Sequence, residues 1–159
     1  MTIVPFYTRF PDLAWQEMRS IDLISMPGLP AGQYGFLELY CEDPRCDCQR
    51  VIIQVVSPVK NSPIWATINY GWESLAYYEQ WIGHGYAELA KEMEGARLDP
   101  INPQTKYADM LLELFKVQLS DTIYVERLKR HYTLFKASFP APPKRPKMSS
   151  QKQKPKRRK

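Results

Sequence analysis

Cys41, Cys46 and Cys48 fall together in the run Tyr40-Cys-Glu-Asp-Pro-Arg-Cys-Asp-Cys-Gln-Arg50, and the chain's three cysteines are all in it. Thiolates are soft ligands, and a Pro-containing turn that gathers three of them suits a tetrahedral zinc ion; iron accepts the same donors. The spacing Cys-x4-Cys-x-Cys leaves one ligand to come from elsewhere. Candidates are His131, on a C-terminal helix, and His84, between Gly83 and Gly85, with the carboxylates of Glu42, Asp43 and Asp47 behind them. His131 is preferred, because a helix lying on a sheet would bring its imidazole to a hairpin tip and join the two halves of the fold. The competing reading makes the thiols small buried apolar groups, with Cys41 merely continuing a strand. A charged turn around Asp47 is a poor place for that, which favours metal.

Catalysis by such a metal would call for further machinery. The chain has no His-Glu-x-x-His, no His-x-Glu paired with Cys-x-x-Cys, no Gly-x-x-x-x-Gly-Lys-Ser/Thr and no Gly-x-Ser-x-Gly. A structural, non-enzymatic zinc is therefore expected, and a metal-dependent hydrolase stands last among the readings.

The elements that must position the thiols follow from hydrophobic patterning. Residues 33–41 and 50–57 are short, bulky and rich in strand formers, so they read as a β-hairpin with the cysteines at its tip. Residues 63–70 follow a Lys60-Asn61-Ser62 turn and alternate Ile64, Ala66, Ile68 and Tyr70, extending the pair into an antiparallel meander. Two short helices are expected between Glu73 and Met93, broken at Gly83-His84-Gly85. Asn102-Pro103 predicts a helix over 104–119, and Asp121 or Thr122 caps another whose stripe is Val125, Leu128, Tyr132 and Phe135. The expected fold is α+β: a small antiparallel meander with a cysteine knuckle at its tip, packed against C-terminal helices.

Charge divides the chain. The formal net charge is +5, but residues 144–159 alone carry nine Lys and Arg and no acid, which leaves +5 − 9 = −4 for the rest. One α+β domain over 1–139 and a disordered Pro/Lys/Arg-rich tail over 140–159 are expected. Lys144, Arg145, Lys147, Lys152, Lys154, Lys156, Arg157, Arg158 and Lys159 are candidate contacts to RNA or DNA phosphates. The aromatic series Trp65, Tyr70, Trp72, Tyr77, Tyr78, Trp81 and Tyr86 could stack bases, although this density at strand and helix positions more often makes core. No secretion leader and no membrane-length apolar run is visible, so a cytoplasmic protein is expected, nuclear if the cell is eukaryotic. Together these residues point to a zinc-stabilised accessory protein that associates with nucleic acid through its tail. The alternative is an adaptor with a structural zinc site whose acidic body and aromatic surface bind another protein.

The segment Tyr40-Cys-x-x-Pro-x-Cys-Asp-Cys-x-Arg-Val51, with Tyr124-Val-Glu-Arg-Leu-Lys-Arg-His-Tyr132, resembles a group of uncharacterised bacterial proteins with a cysteine-rich hairpin. The resemblance implies a metal-binding bacterial cytoplasmic protein of no assigned activity. It also implies His131 as the fourth ligand, and the basic tail is not part of it.

Overall fold

A computed structural model describes residues 2–57 and 64–140. Its elements are β1 (Ile3–Pro5), a 3-10 turn (Phe6–Thr8), α1 (Pro11–Glu17), β2 (Arg19–Leu23), β3 (Gly32–Cys41), β4 (Arg50–Val56), β5 (Ile64–Gly71), α2 (Leu75–Ile82), α3 (Ala87–Met93), β6 (Gly95–Leu98), α4 (Ala108–Gln118) and α5 (Thr122–Ala137). The fold is α+β, and β3, β4 and β5 form the expected meander, which β6 continues.

The strand alternation decides which face is covered. Val51, Ile53 and Val55 of β4 are buried, whereas Ile52, Gln54 and Val56 stay half-exposed. Register places Ile53 between Glu38 and Ile68, and Val55 between Phe36 and Ala66, so one continuous inner face results. Helices α4 and α5 cover it. Phe115 packs on Phe36 and Tyr70 at ring distances of 5.8 and 5.9 Å, and Phe135 packs on Tyr40 at 5.7 Å. Each such fully buried side chain contributes about 1.5–3 kcal/mol.

Helix α5 starts as expected: the Asp121 carboxylate accepts from the backbone N–H groups of Ile123 and Tyr124. Helix α4 starts four residues later than expected, at Ala108 rather than 104. The intervening residues have stronger local partners. Asp99 accepts from the N–H groups of Ile101 and Asn102 and from the Asn102 side chain, so Asn102 caps nothing. Gln104 bonds both the N–H and the carbonyl of Thr67, and Thr105 donates to the Trp65 carbonyl, so this stretch pairs with β5 instead of coiling.

Two N-terminal strands share one edge of β3. β1 pairs with residues 39–41 and β2 with residues 32–36, so Leu37 and Glu38 have no strand beside them on that edge. Between the two strands the chain leaves the sheet as the 3-10 turn and α1. Contacts from this excursion to α5 hold it in place: Arg9 donates to the Ser138 carbonyl at 3.2 Å and lies over the Phe139 ring, and Arg127 donates to the Glu17 carbonyl at 3.0 Å. The Lys60-Asn61-Ser62 turn and the basic tail lie outside the described residues. Among the described residues no helix is long and apolar enough to cross a membrane.

Candidate functional site

Cys41 closes β3, and Cys46 and Cys48 lie on the loop that leads into β4. All three are free thiols; Cys41 and Cys48 are buried and Cys46 is half-buried. Cys46 lies near enough to Cys41 and Cys48 for the three thiols to influence one another electrostatically, so they gather on one loop. Burial pushes the Cys41 and Cys46 thiols above their ordinary pKa, which keeps them protonated at neutral pH.

The loop is clamped from two sides. From α2, Tyr77 donates to the Asp47 carbonyl, Trp81 to the Asp47 carboxylate at 2.8 Å, and Tyr78 to the Gln49 carbonyl at 2.9 Å. From α5, Tyr132 donates to the Cys46 carbonyl and Lys136 to the Asp43 carbonyl, the latter at 2.7 Å. Gln49, at φ 51°, makes the left-handed bend that turns the chain into β4, and its side chain accepts from the Trp72 indole. Of the aromatic series, Trp65, Tyr70 and Tyr78 are buried, Trp72, Tyr77 and Trp81 hold the cysteine loop, and Tyr86 is exposed.

The three thiols supply a donor set that fits zinc chemically. Among the described residues, no three His, Cys, Asp or Glu side chains already surround a common point as metal ligands do. The two candidate histidines sit as follows. His84 lies in the α2–α3 turn and lines a surface pocket with Glu79 and Gln80. His131 is 1% exposed and has both ring nitrogens on carboxylates: Nδ1 is 2.7 Å from Glu38 Oε2 and Nε2 is 2.6 Å from Glu17 Oε2. Its ring stacks on Phe6 at 4.3 Å. The expectation that α5 would deliver this imidazole to the hairpin tip thus meets a competing pair of partners, Glu38 and Glu17.

Glu17 and Glu38 went unnoticed in the sequence. Glu38 had a readable signal: it occupies an inward position in the alternation Tyr34, Phe36, Glu38, Tyr40, and an inward carboxylate must have a partner. Glu17 had none, since its partner lies 114 residues away. Tyr40 also donates to Glu38 Oε2, at 2.7 Å, and Arg130 pairs with Glu17. Burial alone would push the His131 imidazole pKa down, but the bonds and charges of Glu38 and then Glu17 outweigh it and hold it above its ordinary value. The bond from His131 in turn lowers the Glu17 carboxyl pKa against its own partial burial.

Glu38 also lines a cavity of about 250 Å³ between α1 and the sheet, whose other walls include Phe6, Trp15, Met18, Phe36 and Val56. A second cavity, of about 320 Å³, lies on the opposite side of the sheet, under α3, and is lined by Arg50, Asn69, Arg97 and Asp99. Arg50 Nε is buried there without a hydrogen-bond partner among the described residues. Lys144, Arg145, Lys147, Lys152, Lys154, Lys156, Arg157, Arg158 and Lys159 lie outside the described residues.

Compared with known proteins, the chain matches no family model, and neither a curated protein nor a solved structure is similar to it, so its function is read from these sites alone.

Proposed function

We propose that the protein is a zinc-stabilised accessory protein that holds nucleic acid through its basic C-terminal segment. The observation that carries the metal half is the gathering of three free thiols, Cys41, Cys46 and Cys48, where β3 passes into β4 beside Tyr132 of α5. Bound there, zinc would supply cross-linking and no chemistry; iron would accept the same thiolates. With His131 held by two carboxylates, the fourth ligand would come from His84 or from Glu42, Asp43 or Asp47, of which Asp43 Oδ1 already accepts from Arg45. The nucleic-acid half is supported by nine cations in residues 144–159 on a body of net charge −4. A bacterial cytoplasm, or a nucleus, is the setting that fits reduced thiols and such a segment.

The test is metal content. Full-length protein made in rich medium without added metal, and purified under reducing conditions without a histidine tag, should carry about one zinc per chain by mass spectrometry. Cys46→Ser should lower metal content and Tm together. Metal-free protein that is nonetheless folded would overturn the zinc reading, and unchanged metal in Cys46→Ser would remove that thiol from the site.

A further inference from the structure

The cavity beneath α1 exists because of how the N-terminal strands divide the edge of β3. β1 reaches only to Leu39 and β2 only to Phe36, and the excursion between them roofs the gap at Leu37 and Glu38. At about 250 Å³ the space is below the ~300–1,000 Å³ of drug-sized sites, so it admits a molecule of fragment size. Trp15, 82% exposed, and Tyr7, 47% exposed, belong to its lining and mark the solvent side.

The lining is almost entirely carbon, and Glu38 is its one charged side chain. That carboxylate is 5% exposed, and its Oε2 is already occupied by Tyr40 and His131. No described residue donates to Oε1. Oε1 is not sealed in the core, so a charged donor entering the cavity would pair with it directly.

We propose that this cavity binds a small apolar amine, with its ammonium on Glu38 Oε1 and its hydrocarbon body against Phe6, Trp15, Phe36 and Val56. The chemistry selects among alternatives. An alkane would fill the space but leave Oε1 without a donor. A carboxylic acid would bring a second anion against Glu38 where the lining offers no cation. A neutral alcohol satisfies the oxygen but gains nothing from its charge. An ammonium satisfies both, and the surrounding aromatic rings favour a cation further. Glu38 stays in position because Tyr40 and His131 hold its other oxygen, while Glu17, with Arg130, holds the far side of His131.

Three probes sharing a phenylethyl body separate these cases: 2-phenylethylamine, 2-phenylethanol and 3-phenylpropionate, titrated into the full chain at neutral pH. Calorimetry measures affinity, and indole fluorescence is compared between wild type and Trp15→Phe. The amine is expected to bind at least tenfold tighter than the alcohol, the acid is expected not to bind, and the fluorescence change should vanish in Trp15→Phe. Glu38→Gln should bring the amine down to the level of the alcohol. Ala14→Phe, which fills the cavity without touching Glu38, should abolish binding of both while Tm is retained, and it decides the matter if Glu38→Gln does not fold. Equal binding of acid and amine, an amine preference that survives Glu38→Gln, amine binding that survives Ala14→Phe, or no binding of any probe to folded wild type would each overturn the assignment.

Discussion

At Glu38 and His131 two ionisable side chains face each other inside the core, 5% and 1% exposed. Such a pair need not stabilise the fold relative to an apolar pair, but removing one member leaves the other uncompensated, at a cost of about 3–5 kcal/mol. His131→Phe is therefore expected to lower unfolding free energy by about that amount, and Glu38→Leu combined with His131→Phe to lower it less than His131→Phe alone; urea unfolding measures both. The pH dependence has two limbs of opposite sign. His131 has a folded pKa above its ordinary 6.5, so its contribution is complete below that value and is lost as pH rises through the folded pKa. Glu17 has a folded pKa below 4.5, so its contribution is complete above that value and is lost on acidification. Urea midpoints across this range should fall on both sides, and His131→Phe should flatten the alkaline limb. Arg50 presents the reverse situation, a guanidinium whose buried Nε has no acceptor among the described residues. Arg50→Met keeps the length of the side chain, loses no hydrogen bond from Nε and removes a desolvated charge, so Tm should stay level or rise.

The α2–α3 pair approaches the sheet closely at Gly71. A Cβ on Gly71 would lie 2.1 Å from the Met93 carbonyl oxygen and 2.4 Å from the Tyr78 hydroxyl, and the first of these is backbone that cannot rotate away. Gly71→Ala should therefore cost at least the 1–3 kcal/mol typical of overpacking. Because Tyr78 and its α2 neighbours clamp the cysteine loop, the variant should also weaken the loop's hold; calorimetry and amide exchange at residues 46–49 report the two effects. Elements with a dominant pattern were readable in advance. β4 announced itself through the alternation of Val51, Ile53 and Val55, and α5 through Asp121 followed by an apolar stripe. The N-terminal excursion was not readable. β1 spans three residues and β2 five, too few to display a period, and what holds them is the edge of β3. The delayed start of α4 was hidden for the same reason, since Gln104 and Thr105 answer to Thr67 and Trp65, far along the chain. At the candidate sites the thiol cluster was plain from spacing, whereas the partners of His131 come from β3 and α1, and only the inward placement of Glu38 hinted at them.

Across the whole molecule, positive charge is concentrated at one end of the sequence, and the remainder, at net −4, would repel a polyanion on average. Deleting residues 144–159 should abolish binding to a mixed-sequence duplex, while the full chain should show a log–log salt slope of about −0.9 for each phosphate neutralised. Equal affinity and equal slope without those residues would assign the contact to the body. An adaptor that uses its body would keep its protein partner after the same truncation. The sheet itself carries a further consequence in the way its borders are divided. One border is shared by strands of three and five residues with a roofed gap between them, and the other ends in a strand of four. Neither offers the long, flat ladder of unpaired amides that recruits strands from other chains. Concentrated solutions should accordingly resist fibril growth, and any self-association should run through side-chain surfaces while the sheets remain separate.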